Sequence, residues 1–567
     1  DRGVDAAVKI NVPESWKTLA DDTKAPDASL PHYIREIQIP VNKQAGDAIP
    51  VSEFMPYADG VTPSETSKYE KRGIAVKVPQ WIPENCIGCN KCALVCPHAA
   101  IRPFLLNAEE EAAKPAAFVT KEAKGKGFEG LTFRMQVDPL DCQGCGACAN
   151  VCPAKEKALV MELLDTQMPE QENWEHALTL STKTNPMDKF TVRGSQFERP
   201  LYEFSGACAG CGEAPYMKLM SQLFGDRMFV TSATGCAYVV GSSTPSFPYV
   251  ANEKGHGPAN SNSLFEDNAE YALGMKLSID QMRRQMAAHA EAVVASTSDA
   301  ALKSALEAWL AEGDNGDKTR ALSEAVVAAL NATAETSDDI AFLKANKDAL
   351  PKKSVWMYGG DGWAYDIGFG GLDHVLASGA DVNVLVVDTE VYSNTGGQAS
   401  KATQLGAVAQ FANGGKRTGK KDLGAIAMTY GNVYVAQVAM GANEQHLITA
   451  LKEAEAHHGP SILIAYAPCI NHGISKGMSQ AQLEEKLASE CGYWPLWRYV
   501  PELKAEGKNP FILTSKEPNG QLLDFMMGET RFASLTRTFP ETAKVLFAEA
   551  EEFCAQRYAK YKKLAEQ

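Results

Sequence analysis

Eight of the fourteen cysteines in this 567-residue chain fall into two runs of identical spacing. Cys86, Cys89, Cys92 and Cys96 are followed by Pro97, and Cys142, Cys145, Cys148 and Cys152 by Pro153. Each run reads C-x2-C-x2-C-x3-C-P. Two-residue gaps in a tight turn aim three sulfurs at one small volume, and soft thiolates gathered in this way suit an iron–sulfur cubane. Gly88, Gly144 and Gly146 relieve backbone crowding in those turns. The proline after the fourth cysteine fixes φ where the chain leaves the loop. A disulfide framework belongs to small secreted domains, and this chain is long, with no secretory leader expected. Zinc sites are built from paired two-Cys knuckles rather than from four-Cys runs ending in proline.

The spacing is that of bacterial two-cluster ferredoxins, in which the fourth cysteine of each run ligates the other cluster. One 4Fe-4S cluster is therefore assigned to Cys86, Cys89, Cys92 and Cys152, and a second to Cys142, Cys145, Cys148 and Cys96. Between the runs, residues 107–130 are charged and Ala-rich, and are expected to form a solvated surface excursion. Lys121, Lys124 and Lys126 within it are candidates for docking an acidic electron carrier, with a plain solvated charge run as the alternative.

Four further cysteines sit in ligand-like surroundings. Cys208 and Cys211 occupy a Gly-rich turn, Cys236 follows the strand-like run 228–231, and Cys469 follows a strand expected over 461–467. Spacing alone leaves two readings open: a third cluster, or a lone Cys-x2-Cys with two buried structural cysteines. Cys491 and Cys554 are read as inert.

A second kind of site lies between these elements. Val355–Tyr358 reads as a buried strand, Gly359-Gly360-Asp361-Gly362 as a turn, Trp363 to Ser378 as a helix, and Val382–Val387 as the next strand. This βαβ pattern predicts a parallel sheet with its loops at the strands' carboxyl ends. The polar loop Thr389-Glu390-Val391-Tyr392-Ser393-Asn394-Thr395-Gly396-Gly397-Gln398 follows. Asp361, Thr389 and the Val391 carbonyl offer hard oxygens for Mg2+, and Gly360 and Gly362 permit close approach of a diphosphate. The pattern is that of thiamine diphosphate enzymes. A dinucleotide fingerprint, with Asp388 as its acidic residue and its third glycine missing, and a bland structural turn remain the competing readings.

Taken together, these motifs resemble the pyruvate:ferredoxin oxidoreductases of the fused single-chain kind, over nearly the whole chain. The resemblance implies a third 4Fe-4S cluster on Cys208, Cys211, Cys236 and Cys469. It implies Mg2+ on Asp361, Thr389 and the Val391 carbonyl, and thiamine diphosphate against Glu213, Cys236, Gly360, Asp361, Gly362, Trp363, Thr389, Val391 and Asn394. It places Asn394 beside the substrate as the catalytic residue. The implied reaction is oxidative decarboxylation of pyruvate with coenzyme A to acetyl-CoA and CO2, with electrons leaving for ferredoxin or flavodoxin. Other 2-oxoacids, and a non-catalytic electron-transfer role, stay open. In that family the pyrimidine-binding and coenzyme A-binding domains precede the ferredoxin module. The chain is accordingly read as the C-terminal half of a longer enzyme, partnered by the N-terminal half and forming a homodimer in an anaerobic cytoplasm.

Composition is consistent with this. The formal charge of -15 argues against nucleic acid as a main partner. With mean hydropathy at -0.23 and no long uninterrupted apolar run, no membrane span is expected. The expected fold class is α/β: a parallel-sheet thiamine diphosphate-binding domain with a helical insertion, plus an α+β two-cluster ferredoxin domain. The expected divisions are 1–65 (the end of a preceding domain and a linking segment, with a strand over Tyr33–Val41), 66–180 (ferredoxin-like) and 181–567 (thiamine-binding). The helical insertion is expected over 264–349, broken by a turn at Gly313–Asp317. In it Leu322, Val326, Val327 and Leu330 share one helical face.

Overall fold

The structure is a computed structural model that describes residues 6–19, 27–242 and 245–567. The chain divides into two compact units, Asp1–Pro63 and Ser64–Gln567. Much of the expected preceding-domain end, at 1–5 and 20–26, lies outside the described residues. Tyr33–Val41 is not a strand. Ile34–Gln38 and Ile39–Asn42 are helical, and Ile34, Ile37 and Gln38 are the buried residues of the first turns. That spacing has the period of a helix, whereas a strand would bury alternate positions.

In the second unit, β1 (Lys77–Trp81), β2 (Ile101–Leu106), β3 (Lys121–Glu122), β4 (Thr132–Val137) and β5 (Leu159–Leu163) form two small antiparallel sheets, β1–β5 and β2–β4–β3. They clamp the two cysteine runs between them. The expectation of a merely solvated excursion at 107–130 is corrected in part. The segment opens on a helix, Ala108–Ala113, closed by a capping box between Asn107 and Glu110. It then adds β3 to the sheet and buries Phe118 and Phe128 completely. Those two rings carry the guanidinium groups of Arg134 and Arg193 on their faces. Charged composition hid two aromatic anchors.

The large sheet is built from β6 (Met228–Ser232), β7 (Ala259–Ser261), β8 (Ser354–Gly360), β9 (Asn383–Asp388), β12 (Tyr434–Val438), β13 (Ser461–Tyr466), β14 (Trp497–Tyr499) and β15 (Phe511–Leu513), with a short hairpin of β10 (Val391–Tyr392) and β11 (Gln398–Ala399) standing apart. Its order is β15-β14-β12-β13-β9-β8-β6-β7, with the six strands from β12 to β7 parallel, β14 antiparallel to β12, and the edge strand β15 antiparallel to β14. β9 and β13 are buried at every position, because helices cover both faces of the sheet. Four neighbouring strands thus end side by side, and the chain leaving each one carries a residue singled out by sequence. Cys236 follows β6, Asp361 follows β8, Thr389 follows β9 and Cys469 follows β13. This is the edge at which open α/β sheets bind ligands.

The insertion between β7 and β8 contains the helices Asn268–Ser296, Ala300–Glu312, Thr319–Ala332 and Asp338–Ala345. They bury a core of their own from Met286, Leu302, Leu306, Trp309, Val326 and Leu330, with Leu322 and Val327 packed against it. Asp299 and Ser337 cap two of the helices through their side chains. Among the described residues, no helix is long and apolar enough to cross a membrane. Since this core is separate from the sheet, Leu306→Ala should cost about 2–5 kcal/mol while leaving the protein's iron content unchanged. Denaturant unfolding and an iron assay on the same preparation check both halves of that statement.

Candidate active site and cluster sites

The two cysteine runs fold as near repeats. Gly88 and Gly144 occupy equivalent positions, both at φ +68, and each donates its N–H to the first sulfur of its run, Cys86 or Cys142, at 3.4 Å. Asn90 and Gly146, also equivalent, take left-handed conformations as the N-caps of the short helices Lys91–Leu94 and Ala147–Asn150. Cys86, Cys89, Cys92 and Cys152 line one cavity, together with Trp81, Met135 and Leu159. Cys96, Cys142, Cys145 and Cys148 line another, together with Pro79, Ile101 and Val137. The fourth cysteine of each run therefore lies with the other run's first three. Burial pushes the Cys89, Cys92, Cys142, Cys145 and Cys148 thiols up, Cys145 to about 11 and Cys148 well beyond its ordinary value. Bare thiolates are costly there, and iron would supply the missing positive charge. Among the described residues, no three Cys, His, Asp or Glu side chains close on one point as a single metal ion needs. The thiols surround cavities instead, a donor arrangement that fits clusters.

The remaining four cysteines come from three separate loops. Gly212 N–H donates to Pro468 O at 3.1 Å, which lays the Cys208–Cys211 turn against the Cys469 loop. A Cβ at Gly212 would stand 2.5 Å from Pro468 N, so no larger residue fits without displacing one loop. Cys236 has Cys469 and Cys208 as electrostatic neighbours, and Cys211 has Cys469. Ser393 Oγ donates to Cys236 Sγ at 3.3 Å, and Asn471 N–H to Cys469 Sγ at 3.5 Å. Burial pushes the Cys469 thiol up to about 12. The Gly210 N–H faces Cys145, so this group of cysteines adjoins the second cavity.

Beside it lies a cavity lined by Glu213, Thr234, Gly235, Cys236, Ala237, Phe265, Gly360, Asp361, Gly362, Trp363, Val391, Tyr392, Ser393, Asn394 and Thr395. Of the residues expected to hold thiamine diphosphate, all line it except Thr389, which stands directly behind Asp361. Thr389 Oγ1 is 3.0 Å from both Asp361 Oδ1 and the Val391 carbonyl oxygen, so the three expected Mg2+ donors are adjacent. Ser400 Oγ donates to Asp361 Oδ2 at 2.6 Å. Burial, and then the charge of Asp388, push the Asp361 carboxyl well above its usual range. A divalent cation would reverse that balance, so the donor set fits a magnesium-bound diphosphate. Glu213 is fully buried, its carboxyl is pushed up to about 8 by burial, and its Oε2 has no hydrogen-bond partner among the described residues. Trp363 is buried, and its indole N–H has no partner among the described residues. Asn394 is exposed at the cavity mouth.

Asp388 does not serve a dinucleotide. It is buried and accepts from Tyr365 OH and Lys420 Nζ, each at 2.7 Å. Lys420 also reaches Glu390 at 3.1 Å. Glu390 has a left-handed backbone, φ 61, an unusual conformation for a residue other than glycine. Lys420, the Arg531 guanidinium at 2.8 Å and Tyr493 OH hold its side chain. Burial alone would raise its carboxyl, but Lys420 and Arg531 hold it down to about 2. This strained residue turns its two neighbours, Thr389 and Val391, towards Asp361, while His472 Nε2 donates to the Thr389 carbonyl at 2.7 Å. Ser400, Glu390, Asn471 and His472 were not singled out from sequence. Glu390 was quoted only as part of the polar loop after Asp388, and Ser400, Asn471 and His472 belong to no spacing motif; the hairpin β10–β11 and the end of β13 bring those three in.

Residues 77–155 match a 4Fe-4S dicluster domain, and residues 325–465 match the C-terminal TPP-binding domain of thiamine pyrophosphate enzymes. Residues 21–75 match a domain of unknown function. Pyruvate:ferredoxin oxidoreductase of Moorella thermoacetica is 55% identical over 572 residues, covering 100% of this chain and 48% of the relative. Pyruvate-flavodoxin oxidoreductase of Klebsiella pneumoniae is 52% identical over 563 residues, covering 99% and 48%. Over its whole length the chain is similar to pyruvate:ferredoxin and pyruvate-flavodoxin oxidoreductases. It spans about half the length of these curated relatives. The mitochondrial NADP+ pyruvate dehydrogenase of Euglena gracilis is 44% identical over 564 residues, covering 99% of this chain and 31% of the relative. Since Gly144 has φ +68 and a Cβ there would stand 2.7 Å from Lys77 O, Gly144→Ala should remove one cluster's worth of iron from the protein. Iron analysis with EPR of the reduced protein would show the loss.

Proposed function

We propose that this chain is the thiamine-holding and electron-carrying part of an enzyme that converts pyruvate and coenzyme A to acetyl-CoA and CO2. Electrons pass through three 4Fe-4S clusters to ferredoxin or flavodoxin. The observation that carries the reading is the adjacency of four strand ends. β6 and β13 bring Cys236 and Cys469 together, and β8 and β9, lying between them, bring Asp361 and Thr389. A cysteine group and a hard-oxygen trio thus border one cavity.

Thiamine diphosphate, when bound, supplies the carbanion chemistry of 2-oxoacid decarboxylation, and the clusters supply one-electron acceptors. Asp361, Thr389 and the Val391 carbonyl would hold Mg2+ and through it the diphosphate. Gly360 leaves the backbone open on the cavity side, where a Cβ would meet nothing nearer than Val387 O at 3.8 Å. Glu213 and Trp363 line the buried wall with unpartnered polar atoms. Asn394, at the exposed mouth, would orient the substrate carbonyl. Cys208, Cys211, Cys236 and Cys469 would hold the third cluster, and the Cys145 side of the second cavity takes the electron onward. The N-terminal half supplies the remaining substrate and coenzyme A contacts, in a homodimeric cytoplasmic enzyme.

The purified full-length enzyme should contain about twelve irons for each copy of this chain, whereas a value near eight would remove the third cluster. Asp361→Ala should abolish Mg2+-dependent binding of thiamine diphosphate in calorimetry and leave the iron content intact; retained binding would overturn the metal assignment. Glu390→Gln keeps the ligand atoms but loosens their orientation, and should weaken Mg2+ about 10–100-fold.

A further inference from the structure

Cys211 is followed by a helix, Ala214–Phe224, whose eleven residues are all buried. Ten of them are unremarkable in such a place. The exception is Lys218, only 1% exposed, which projects from the large α/β domain into the two-cluster module. Its Nζ donates to Leu94 O at 2.9 Å, to Ala93 O, and more distantly to Gln196 Oε1 at 3.4 Å. Ala93 and Leu94 lie between Cys92 and Cys96, one ligand from each cavity. The electrostatic neighbours of Lys218 are Cys96, Arg102 and Cys92. No carboxylate stands among them, and Arg102 is already paired with Glu203. A buried ammonium without a carboxylate partner is costly to fold around. Carbonyl oxygens satisfy its hydrogen bonds but not its charge. The groups beside it that gain negative charge in the working protein are the two cysteine-held sites.

We propose that Lys218 is a positioning residue for electron transfer: its ammonium is the counter-charge shared by the two ferredoxin-type clusters, and it raises the reduction potential of both. The proposal rests on reading the two cysteine cavities as cluster sites. Reduction adds one negative charge to a cluster, and a fixed cation in a low-dielectric surrounding stabilises that form more than the oxidised one. Net charge and nearby hydrogen bonds are among the factors that set a cluster's potential. The residue sits where the run crosses from one cluster to the other, so a single charge acts on both. A cation supplied by the large domain also ties the potentials to the docking of the two parts, since the module alone would lack it.

The test uses the full-length enzyme with Lys218→Met, Lys218→Gln and Lys218→Arg, each assayed for iron and titrated potentiometrically with EPR detection. Methionine matches the length and removes the charge. Glutamine is neutral but keeps an N–H donor for the carbonyls. The expected result is wild-type iron in all three, with the midpoints of both ferredoxin-type clusters displaced to more negative values in Met and Gln. In Arg the midpoints stay close to wild type. Unchanged midpoints in a fully loaded neutral variant would overturn the proposal. So would loss of iron from both neutral variants with retention in Arg, which would make Lys218 a structural tie. Wild-type protein lacking two ferredoxin-type EPR signals would refute the underlying cluster reading, a result distinct from either of these.

Discussion

The contact on which the site depends is the close approach of two backbones at Gly212 and Pro468. A side chain at 212 would stand 2.5 Å from Pro468 N, so the hydrogen bond between them forms only with glycine present. That bond seats the Cys208–Cys211 turn against the end of β13, and the helix Ala214–Phe224 starts immediately beyond it. Moving the turn by one Cβ radius would displace Cys211 from Cys469. It would lift Glu213 out of the cofactor cavity, and would draw Lys218 away from the carbonyls of Ala93 and Leu94. One backbone contact thus sets the relation among the third cysteine group, the cavity and the two-cluster module. Further ties reinforce the last of these, among them the ion pair of Lys91 with Glu444 at 2.6 Å and the bond from Asn150 Nδ2 to Ser479 O at 2.9 Å.

The second constraint is electrostatic. Asp361, Asp388 and Glu390 are all 0% exposed at the ends of the neighbouring strands β8 and β9, a concentration of buried negative charge that a fold tolerates only when it is compensated. Lys420 lies between Asp388 and Glu390, and Arg531 completes the neutralisation of Glu390. Asp361 receives only hydroxyl and backbone N–H donors. Of these three carboxylates, the one at the cavity wall, Asp361, is alone in having no ion pair among the described residues, while Arg531 is shared with the equally buried Glu529. Removing Lys420 or Arg531 would leave the buried carboxylates around Glu390 short of compensating charge, the costly side of a buried ion pair. The left-handed Glu390 is affordable because three side chains over-determine its position.

The legible parts of the sequence were those whose chemistry is local. The two four-Cys runs need nothing beyond their own turns to declare a ligand set, and the equivalent glycines 88 and 144 are visible in the spacing. The Gly-Asp-Gly turn and the apolar strands on either side of its helix were readable for the same reason. The association of Cys208, Cys211, Cys236 and Cys469 was not readable from spacing. It depends on β6, β8, β9 and β13 lying side by side, and strand order is a property of the whole sheet. Ser400 and His472 were missed because each acts through a neighbour's oxygen and neither has a motif. Lys218 looked like one polar position in an apolar helix, since its partners lie more than a hundred residues upstream. Tyr33–Val41 failed as a strand because apolar content was read without its period, and 107–130 failed as a plain excursion because two phenylalanines outweighed its charge.

The central claim is that Cys208, Cys211, Cys236 and Cys469 hold iron against the wall of the cofactor cavity. Anomalous diffraction at the iron absorption edge, on crystals of the anaerobically purified full-length enzyme, tests it most directly. The account predicts three separate iron peaks per chain, the third bounded by the Cys208–Cys211 turn and the ends of β6 and β13. Two peaks only, with those four sulfurs free of metal, would contradict it.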